Sequence, residues 1–320
     1  MKPLLFKMKF LSKILFLLRM QKRMTLLLMA AGKGSRYGKL KQFDGLGPKE
    51  EFLMEFSIFD AIEAGFNHIV IITQRDHVEF LKVHLETRIP KNLKLDVLSQ
   101  ELEELPREIK ILEERLKPWG TAHAVWTARQ HIANPFVVLN ADDYYGRDAF
   151  YHAASFIKNS TSTTVFAMVG YTLKETLSPN GSVSRGICSV IHSNLLDLQE
   201  RLKIIYEKGE ITDLDSGEYF SGEEKVSMNF WVCQPMLFSE IEVYFSQFLR
   251  DKELVKNSEV YLPAVIQELI AKKKVSVTVL PSGGKWFGVT YANDRELAVK
   301  ELTEMTKNTI YPSPLWDKLN

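Results

Sequence analysis

Cysteine is scarce in this chain of 320 residues, which contains only Cys188 and Cys233. Two isolated cysteines build neither a disulfide framework nor the closely spaced pairs of a structural zinc site. The seven histidines show no zinc-binding spacing either. The sequence therefore excludes a disulfide-stapled fold, and its 45% hydrophobic content is ordinary for a globular protein with a core of this size. We expect two buried thiols in a reducing, cytoplasmic compartment.

Long apolar runs are also missing from the basic segment formed by residues 1–23. Its longest uncharged run, residues 14–18, is far too short to cross a bilayer, and it has no cleavage site of small residues. The segment carries seven Lys or Arg and no acid, so a total charge of +1 leaves −6 for the remainder. An acidic body argues against nucleic acid as a partner.

Residues 1–23 have two interpretations. They could form a basic amphipathic helix on a membrane surface, or the start codon could be assigned too early, with Met24 as the true start. We favour the second, because Met24 immediately precedes a predicted strand that leads into a glycine-rich turn. We therefore divide the sequence into the basic extension over residues 1–23, a domain over residues 24–305 and a C-terminal tail over residues 306–320. We expect no membrane contact, and the sequence leaves homo-oligomerisation open.

Short apolar runs alternate with helical periodicity between residues 25 and 158, which predicts a parallel sheet covered by helices on both faces. The predicted strands there are 25–31, 68–73, 95–98 and 136–141, and the helices are 55–65, 76–86 and 121–131. A glycine, Gly65, is expected to end the first helix.

The second half is less regular. It predicts a hairpin or solvent loop between residues 206 and 225. Strands are expected at 163–171, 186–191, 203–206, 226–232 and 275–280, and helices at 238–250, 259–272 and 294–305.

A glycine-rich turn, Ala30-Ala31-Gly32-Lys33-Gly34-Ser35-Arg36, follows the first predicted strand. Such a turn lets backbone N–H groups approach a polyphosphate, and an arginine can pair with phosphate oxygens. It is not the three-glycine dinucleotide fingerprint, because Tyr37 stands where the third glycine belongs. It is not a Walker loop either, because that loop ends in Gly-Lys-Ser/Thr.

This turn resembles the N-terminal signature of the nucleotidyltransferase superfamily that includes sugar-1-phosphate thymidylyl- and uridylyltransferases. In that family a lysine follows the arginine, often as Lys-Gln, and Lys41-Gln42 fits this pattern. The spacing is shortened, however, and Lys49 in Pro48-Lys49 is a rival for the role. The resemblance implies an α/β fold with a Rossmann-like, mostly parallel sheet and an inserted acceptor-binding β region. It also implies that Gly32, Gly34 and the catalytic pair Arg36 and Lys41 hold the triphosphate, and that Ala31 and Ser35 of the same turn bind the nucleotide.

A second segment, Lys117-Pro118-Trp119-Gly120-Thr121-Ala122, precedes a predicted helix. A Gly-Thr pair there offers a capping hydroxyl and close backbone approach, and it is also simply a helix start. By resemblance this segment lines the base and ribose. Gln100, after a predicted strand, is a weaker candidate for reading the base edge.

A third segment, Asn140-Ala141-Asp142-Asp143, ends an apolar strand. Ligands of open α/β sheets bind at the carboxyl ends of strands, and a carboxylate there can hold Mg²⁺. An acidic turn that caps the next helix is the plainer explanation. The resemblance favours Asp142 as the metal ligand. Some members have a second Asp where this chain has Gly288, so Asp294 and Thr290 are the nearby substitutes.

The acceptor site is implied only by the resemblance. It places Gly186 and its neighbour Arg185 beside the sugar, and Glu207 and Asn229 at positions that contact sugar hydroxyls. The whole pattern predicts an Mg²⁺-dependent enzyme in which the acceptor's phosphate oxygen attacks the α-phosphorus of an NTP and pyrophosphate leaves. By the resemblance, we expect UTP or dTTP as the donor and a sugar 1-phosphate as the acceptor. A cytidylyltransferase for a polyol phosphate, a related glycosyltransferase and a non-catalytic nucleotide-binding homologue remain alternatives.

Overall fold

The computed structural model describes residues 23–32, 41–107, 115, 117–289, 291–317 and 319. The predictions for residues 1–22, and for Gly34, Ser35 and Arg36 in the glycine-rich turn, fall outside these residues. Among the residues described, no helix is long and apolar enough to span a membrane.

The strands, numbered along the chain, have these bounds: β1 Thr25–Met29, β2 His68–Thr73, β3 Lys94–Ser99, β4 Phe136–Asn140, β5 Asp143–Tyr144, β6 Val165–Thr172, β7 Val183–Ile191, β8 Asn194–Glu207, β9 Glu210–Asp213, β10 Tyr219–Phe220, β11 Lys225–Cys233, β12 Ser276–Pro281 and β13 Phe287–Gly288. The helices are α1 Leu53–Ala64, α2 Val78–Glu86, α3 Thr121–Thr127, α4 Arg147–Asn159, α5 Met236–Phe248, α6 Lys252–Asn257, α7 Leu262–Ala271 and α8 Asp294–Lys307. Short 3-10 turns cover Lys41–Phe43, Arg75–His77, Ala128–Gln130 and Leu173–Thr176.

Most strands join one large mixed sheet, ordered β10-β9-β8-β12-β6-β11-β4-β1-β2-β3, with β7 pairing to β11 and β8. From β4 to β3 all pairs are parallel, as the alternation of elements predicts. Beyond β4 the sheet continues mainly with antiparallel pairs, because β11 enters next to β4 in the opposite direction. The carboxyl ends of β1 to β4 therefore share one edge of the sheet.

Helices cover both faces of the sheet, which confirms the predicted fold class. Successive side chains of a strand point to opposite faces, so Leu26 and Leu28 pack in one core cluster and Leu27 in the other. The first cluster holds α1, α2, α4 and α8, and the second holds α3, α5 and α7. Gly65 ends α1 in the left-handed conformation, with φ 102°, as predicted. Both cysteines are buried in the core, also as predicted.

The β region of the second half differs most from its prediction. β8 runs for 14 residues, whereas only residues 203–206 were expected. Its buried residues do not alternate strictly, because the pairing with β7 shifts register twice. The segment expected as a hairpin or solvent loop does contain a hairpin, which is formed by the short antiparallel strands β9 and β10.

The segment after α8 packs into the core instead of forming a separate tail. Tyr311 and Trp316 are 1% and 5% exposed and contact buried acids of α1. Trp316 Nε1 donates to Glu55 Oε2 at 2.7 Å, and the Tyr311 hydroxyl donates to Asp60 Oδ2 at 2.6 Å. The same Tyr311 oxygen lies 2.8 Å from the Tyr144 hydroxyl on β5. The predicted boundary at residue 305 therefore does not separate this C-terminal segment from the domain.

Asp60 gives this contact a pH dependence. Burial raises the pKa of Asp60 from 3.8 to about 8, against the opposing effects of Tyr311 and Arg147. Because the folded-state pKa is the higher one, protonated Asp60 stabilises the fold fully below about pH 4, and this contribution is lost as pH rises to about 8. We expect Asp60→Asn to flatten the fall in unfolding free energy over this range, by at most about 1.4 kcal/mol per pH unit.

Urea denaturation at stepped pH measures this slope. Asp76→Asn, at an exposed aspartate, is the matched control and should keep the wild-type slope. An unchanged slope in Asp60→Asn would show that Asp60 is ionised throughout.

Candidate active site

The carboxyl ends of the four parallel strands gather the loops that the sequence singles out. The glycine-rich turn leaves β1, Gln74 follows β2, Gln100 follows β3, and Asp142 follows β4 after two residues. Residues from this edge of the sheet line two separate pockets.

The first pocket has a volume of about 560 Å³. The structure brings together in its wall all the predicted nucleotide-binding residues that it describes. They are Ala31, Gly32, Gln100, Gly120 and Thr121, and they are joined by Lys117, Pro118 and Glu259 among others. Lys41 begins a 3-10 turn, and its side chain lies outside the described part of the chain.

Glutamines hold the start of the glycine-rich turn through its carbonyl groups. Gln42 Nε2 donates to the carbonyl oxygens of Ala30 and Gly32, each at 3.2 Å, and Gln74 Nε2 donates to that of Ala31 at 3.2 Å. Gln42 is only 4% exposed. The Gln of the Lys-Gln pair therefore has a structural role that the motif alone did not suggest.

The Gly120-Thr121 pair packs closely against the residues at the start of α7. Gly120 has φ 102° and ψ −177°, and a Cβ there would lie 2.5 Å from the Val260 carbonyl oxygen. Thr121 is the first residue of α3, as one interpretation of the sequence predicts. Its hydroxyl oxygen, however, accepts the Leu262 N–H at 2.9 Å and so caps α7 rather than α3. Both residues join the wall of the first pocket to the start of α7.

The second pocket has a volume of about 190 Å³ and is strongly polar. Its lining includes Asp142 and Asn229, together with residues from β7, β8 and the segment before β13. Its polar side chains are those of Asn140, Asp142, Asp143, Ser184, Arg185, Glu200, Ser227, Asn229 and Trp286.

Glu207 is not part of this pocket. It lies exposed at the turn between β8 and β9, where it pairs with Glu210. Glu200 lines the pocket instead and pairs with Gly186 across β7 and β8. A Cβ on Gly186 would lie 2.9 Å from Leu198 Cδ1, so a larger residue would crowd the Leu198 side chain on β8. The length and the bulged register of β8 decide which of its glutamates reaches the pocket.

The two neighbouring aspartates have different environments. Asp143 is 9% exposed, and its Oδ2 accepts from Asn140 Nδ2 at 2.9 Å and lies 3.2 Å from the Tyr145 hydroxyl. Asp142 is half-buried and lines the pocket. Gly288 pairs with Asp143, and a Cβ at Gly288 would lie 2.3 Å from Asp143 Oδ1. A second carboxylate at position 288 therefore does not fit beside Asp143 as it stands.

Asp294, the other predicted metal ligand, is separated from Asp142 by the wall of the pocket. It begins α8 and lines a different cavity of about 180 Å³. Its carboxylate accepts from Asn180 Nδ2 and Tyr291 N, both at 2.7 Å, and from Ser178 Oγ at 3.2 Å. These bonds fasten the loop around Ser178 to α8, which gives Asp294 a structural role.

The donor set suits a metal ion that is shared with a substrate. Among the described residues no group of three or more His, Cys, Asp or Glu could hold a metal. Mg²⁺ does not need such a cage, because it is commonly bound through one or two carboxylates plus phosphates and water. Asp142, with the amide oxygens of Asn140 and Asn229 in the same pocket, fits that kind of site.

A buried cation lies at the inner end of the second pocket. Arg185 is 6% exposed, and it donates from Nε to Thr176 Oγ1 at 2.9 Å and from Nη1 to the Ser184 carbonyl at 2.7 Å. Burial lowers the pKa of Arg185 to about 10, opposed by nearby carboxylates, so it stays charged at neutral pH. Its guanidinium lies 4.8 Å from the ring centre of Trp286, whose buried Nε1 has no hydrogen-bond partner among the described residues.

Comparisons with known proteins identify the family of this chain. A sequence model of the family described as nucleotidyl transferase matches residues 26–289. UTP–glucose-1-phosphate uridylyltransferase 1 of Staphylococcus saprophyticus is 29% identical over 153 residues, which cover 44% of this chain. The match spans 52% of that relative, about half its length.

Two solved structures share the fold at low sequence identity. The inositol-1-phosphate CTP transferase from T. maritima superposes with a TM-score of 0.58 at 10% identity, covering 89% of this chain and 97% of its own. A UDP-glucose pyrophosphorylase complexed with UDP-glucose gives 0.57 at 15% identity, covering 88% and 99%.

Proposed function

This chain belongs to the nucleotidyl transferase family, and we propose that it joins an NTP to a sugar 1-phosphate with release of pyrophosphate. The observation that carries the proposal is the pair of pockets at one sheet edge. One is roomy and lined by the glycine-rich turn, and the other is small, charged and rich in hydrogen-bonding groups. An in-line displacement needs such an arrangement, with the donor and the acceptor held end to end.

We assign the donor to the first pocket. The start of the glycine-rich turn contributes its wall, and Arg36 and Lys41 are proposed, by resemblance, to bind the triphosphate. Gln100 and the Gly120-Thr121 backbone would meet the base and ribose. UTP is the favoured donor because the curated relative is a uridylyltransferase, and dTTP has the same hydrogen-bonding edge.

We assign the acceptor to the second pocket. Asn229 and Glu200 offer an amide and a carboxylate to sugar hydroxyls, while the Trp286 N–H and the Arg185 charge suit an anionic acceptor. The backbone at Gly186 allows close approach. Members of the family generally use a divalent metal, and we propose Mg²⁺ bound by Asp142. Such an ion would neutralise charge on the reacting phosphates.

Pyrophosphate release measured for the four NTPs against a panel of sugar 1-phosphates and polyol phosphates tests the proposal. We expect turnover with UTP or dTTP and a sugar 1-phosphate, dependent on added Mg²⁺. No release with any pair would overturn the proposed function. Turnover restricted to CTP and a polyol phosphate would instead establish the alternative that the inositol-1-phosphate CTP transferase fold neighbour raises.

Substitutions at Asn229 can test the role of its side chain separately from that of its backbone conformation. It has φ 61° at a bulge of β11, a conformation that glycine adopts without strain. Asn229→Gly should raise the acceptor KM by about tenfold, as for one lost hydrogen bond, with unchanged stability. Asn229→Ala should raise KM similarly and also lose about 1 kcal/mol of stability.

Steady-state kinetics and thermal unfolding of both variants provide the measurements. An unchanged acceptor KM in Asn229→Gly would remove Asn229 from the acceptor site, and a lowered stability would show that its side chain supports the fold.

A further inference from the structure

The direction of the Gln100 carboxamide is determined by an acceptor that cannot change its role. Gln100 lines the first pocket, and its Nε2 lies 3.1 Å from the Gly120 carbonyl oxygen. A carbonyl only accepts hydrogen bonds, so the carboxamide atom that faces it must be the nitrogen. The carbonyl oxygen, Oε1, is then the polar atom that Gln100 has left to offer a ligand.

His123 acts on the same carboxamide from α3. Its Nε2 lies 2.8 Å from the Glu104 carbonyl oxygen, so Nε2 carries the ring proton and donates it. Nδ1 is then a bare acceptor in the neutral ring, and it lies 3.1 Å from Gln100 Nε2. Burial lowers the pKa of His123, which keeps the ring neutral. The carbonyl groups of Glu104 and Gly120 thus determine which atom donates in each hydrogen bond that links Glu104, His123 and Gln100.

Packing holds the His123 ring in this orientation. The residue is fully buried, between Phe245 at a ring-centre distance of 5.2 Å and Trp126 at 5.9 Å. The loop that supplies the Glu104 carbonyl is itself fastened to the end of α3, because Arg129 Nη1 donates to Glu104 Oε1 at 2.6 Å. Rigid neighbours of this kind give a binding group a single orientation.

We propose that His123 is a positioning residue for base selection, which holds Gln100 so that an acceptor faces the bound base. The proposal rests on the proposed function, since it takes the first pocket as the nucleotide site. His123 is not among the residues that line this pocket, so it acts through Gln100. The middle of the base edge is an N3–H donor in uracil and thymine but a bare nitrogen in cytosine. A fixed acceptor therefore favours UTP and dTTP over CTP, because a buried acceptor that meets no donor is costly.

Equilibrium binding of UTP and CTP to three proteins tests this role: wild type, His123→Phe and His123→Asn. Phe keeps the ring but has no acceptor, whereas Asn loses ring volume but can place its amide oxygen near the position of Nδ1. We expect His123→Phe to weaken UTP binding about tenfold and CTP binding much less, so that the UTP-to-CTP affinity ratio falls. His123→Asn should retain most of the wild-type ratio.

A purely structural role of His123 would lower the fraction of competent protein and leave the affinity ratio unchanged. His84→Phe is the control, since His84 is mostly buried, lies 2.8 Å from Glu55 Oε1 and stacks on Phe52, but lies on the other face of the sheet. It should keep the wild-type ratio.

The inference is overturned if His123→Phe keeps the ratio, if His123→Asn loses it as fully as His123→Phe, or if wild type binds UTP and CTP equally. Imidazole ¹⁵N NMR of the wild type adds a test that needs no variant, because a proton on Nδ1 of His123 would contradict the proposed chain of bonds. Pyrophosphate release is measured separately. Selective UTP binding without release would defeat the proposed function alone, and the absence of NTP binding would defeat both.

Discussion

Asp142→Asn should lower turnover by about 100- to 1,000-fold at saturating substrates, which corresponds to about 3–4 kcal/mol of transition-state stabilisation. Asp142 is a half-buried carboxylate of the second pocket, at the edge of the sheet where the glycine-rich turn leaves β1. The amide has nearly the same shape but no charge, so it would hold Mg²⁺ much more weakly. Steady-state pyrophosphate release over a series of Mg²⁺ concentrations measures both the loss and any shift in metal requirement.

Asp215→Asn is the control for this change. Asp215 lies on the β9–β10 hairpin and pairs with Lys203, far along the sheet from β4. It should keep wild-type turnover. Thermal unfolding should show little change for Asp142→Asn, and near wild-type turnover of this variant at low Mg²⁺ would remove Asp142 from the metal site.

Gly120→Ala should destabilise the fold by about 3 kcal/mol or more and abolish most NTP binding. Two effects add at this position. The φ of 102° with ψ of −177° belongs to a region that is nearly restricted to glycine. A Cβ would also lie 2.5 Å from the Val260 carbonyl oxygen, which accepts from Ala122 N, and 2.9 Å from the Val260 nitrogen, which donates to the Trp119 carbonyl. Relief would require α7 to move away from the pocket.

Gly209→Ala separates these two effects. Gly209 has φ 88° in the β8–β9 turn, and a Cβ there would meet nothing within 4 Å. It should cost about 1 kcal/mol through backbone strain alone. Urea denaturation of both variants, with UTP titrations, gives the comparison. Equal losses in the two variants would show that the contact with Val260 contributes nothing.

The parallel half of the fold could be predicted because its signals are local. β2 was predicted with its observed bounds, and β1 and β4 within two residues, since apolar runs between turns are typical of buried parallel strands. Gly65 marked the end of α1 for an equally local reason, its left-handed conformation. β8 was missed over most of its length, because one of its faces is exposed and bulges interrupt its alternation.

The site divides in the same way. The predicted residues in the wall of the first pocket follow β1 or β3 or lie at the start of α3, and motifs at such positions can be recognised without the fold. No motif in the sequence marks Glu200, and the resemblance indicates Glu207 instead. Asp294 and Gly288 could not be interpreted from the sequence, because the groups that explain them, at Ser178, Asn180 and Asp143, are remote along the chain.

The amino-acid sequence by itself determined the class of the fold, the strand ends that form the site edge, and the resemblance to nucleotidyltransferases through the turn at Gly32. These depend on side-chain periodicity and on contiguous residues, which need no knowledge of long-range pairing. Only the tertiary structure decided that Glu200 rather than Glu207 reaches the second pocket, that Asp294 fastens a loop, and that His123 contacts Gln100. Each of these depends on strand register or on the approach of distant backbone carbonyls, and such contacts are created by the packing of the whole chain.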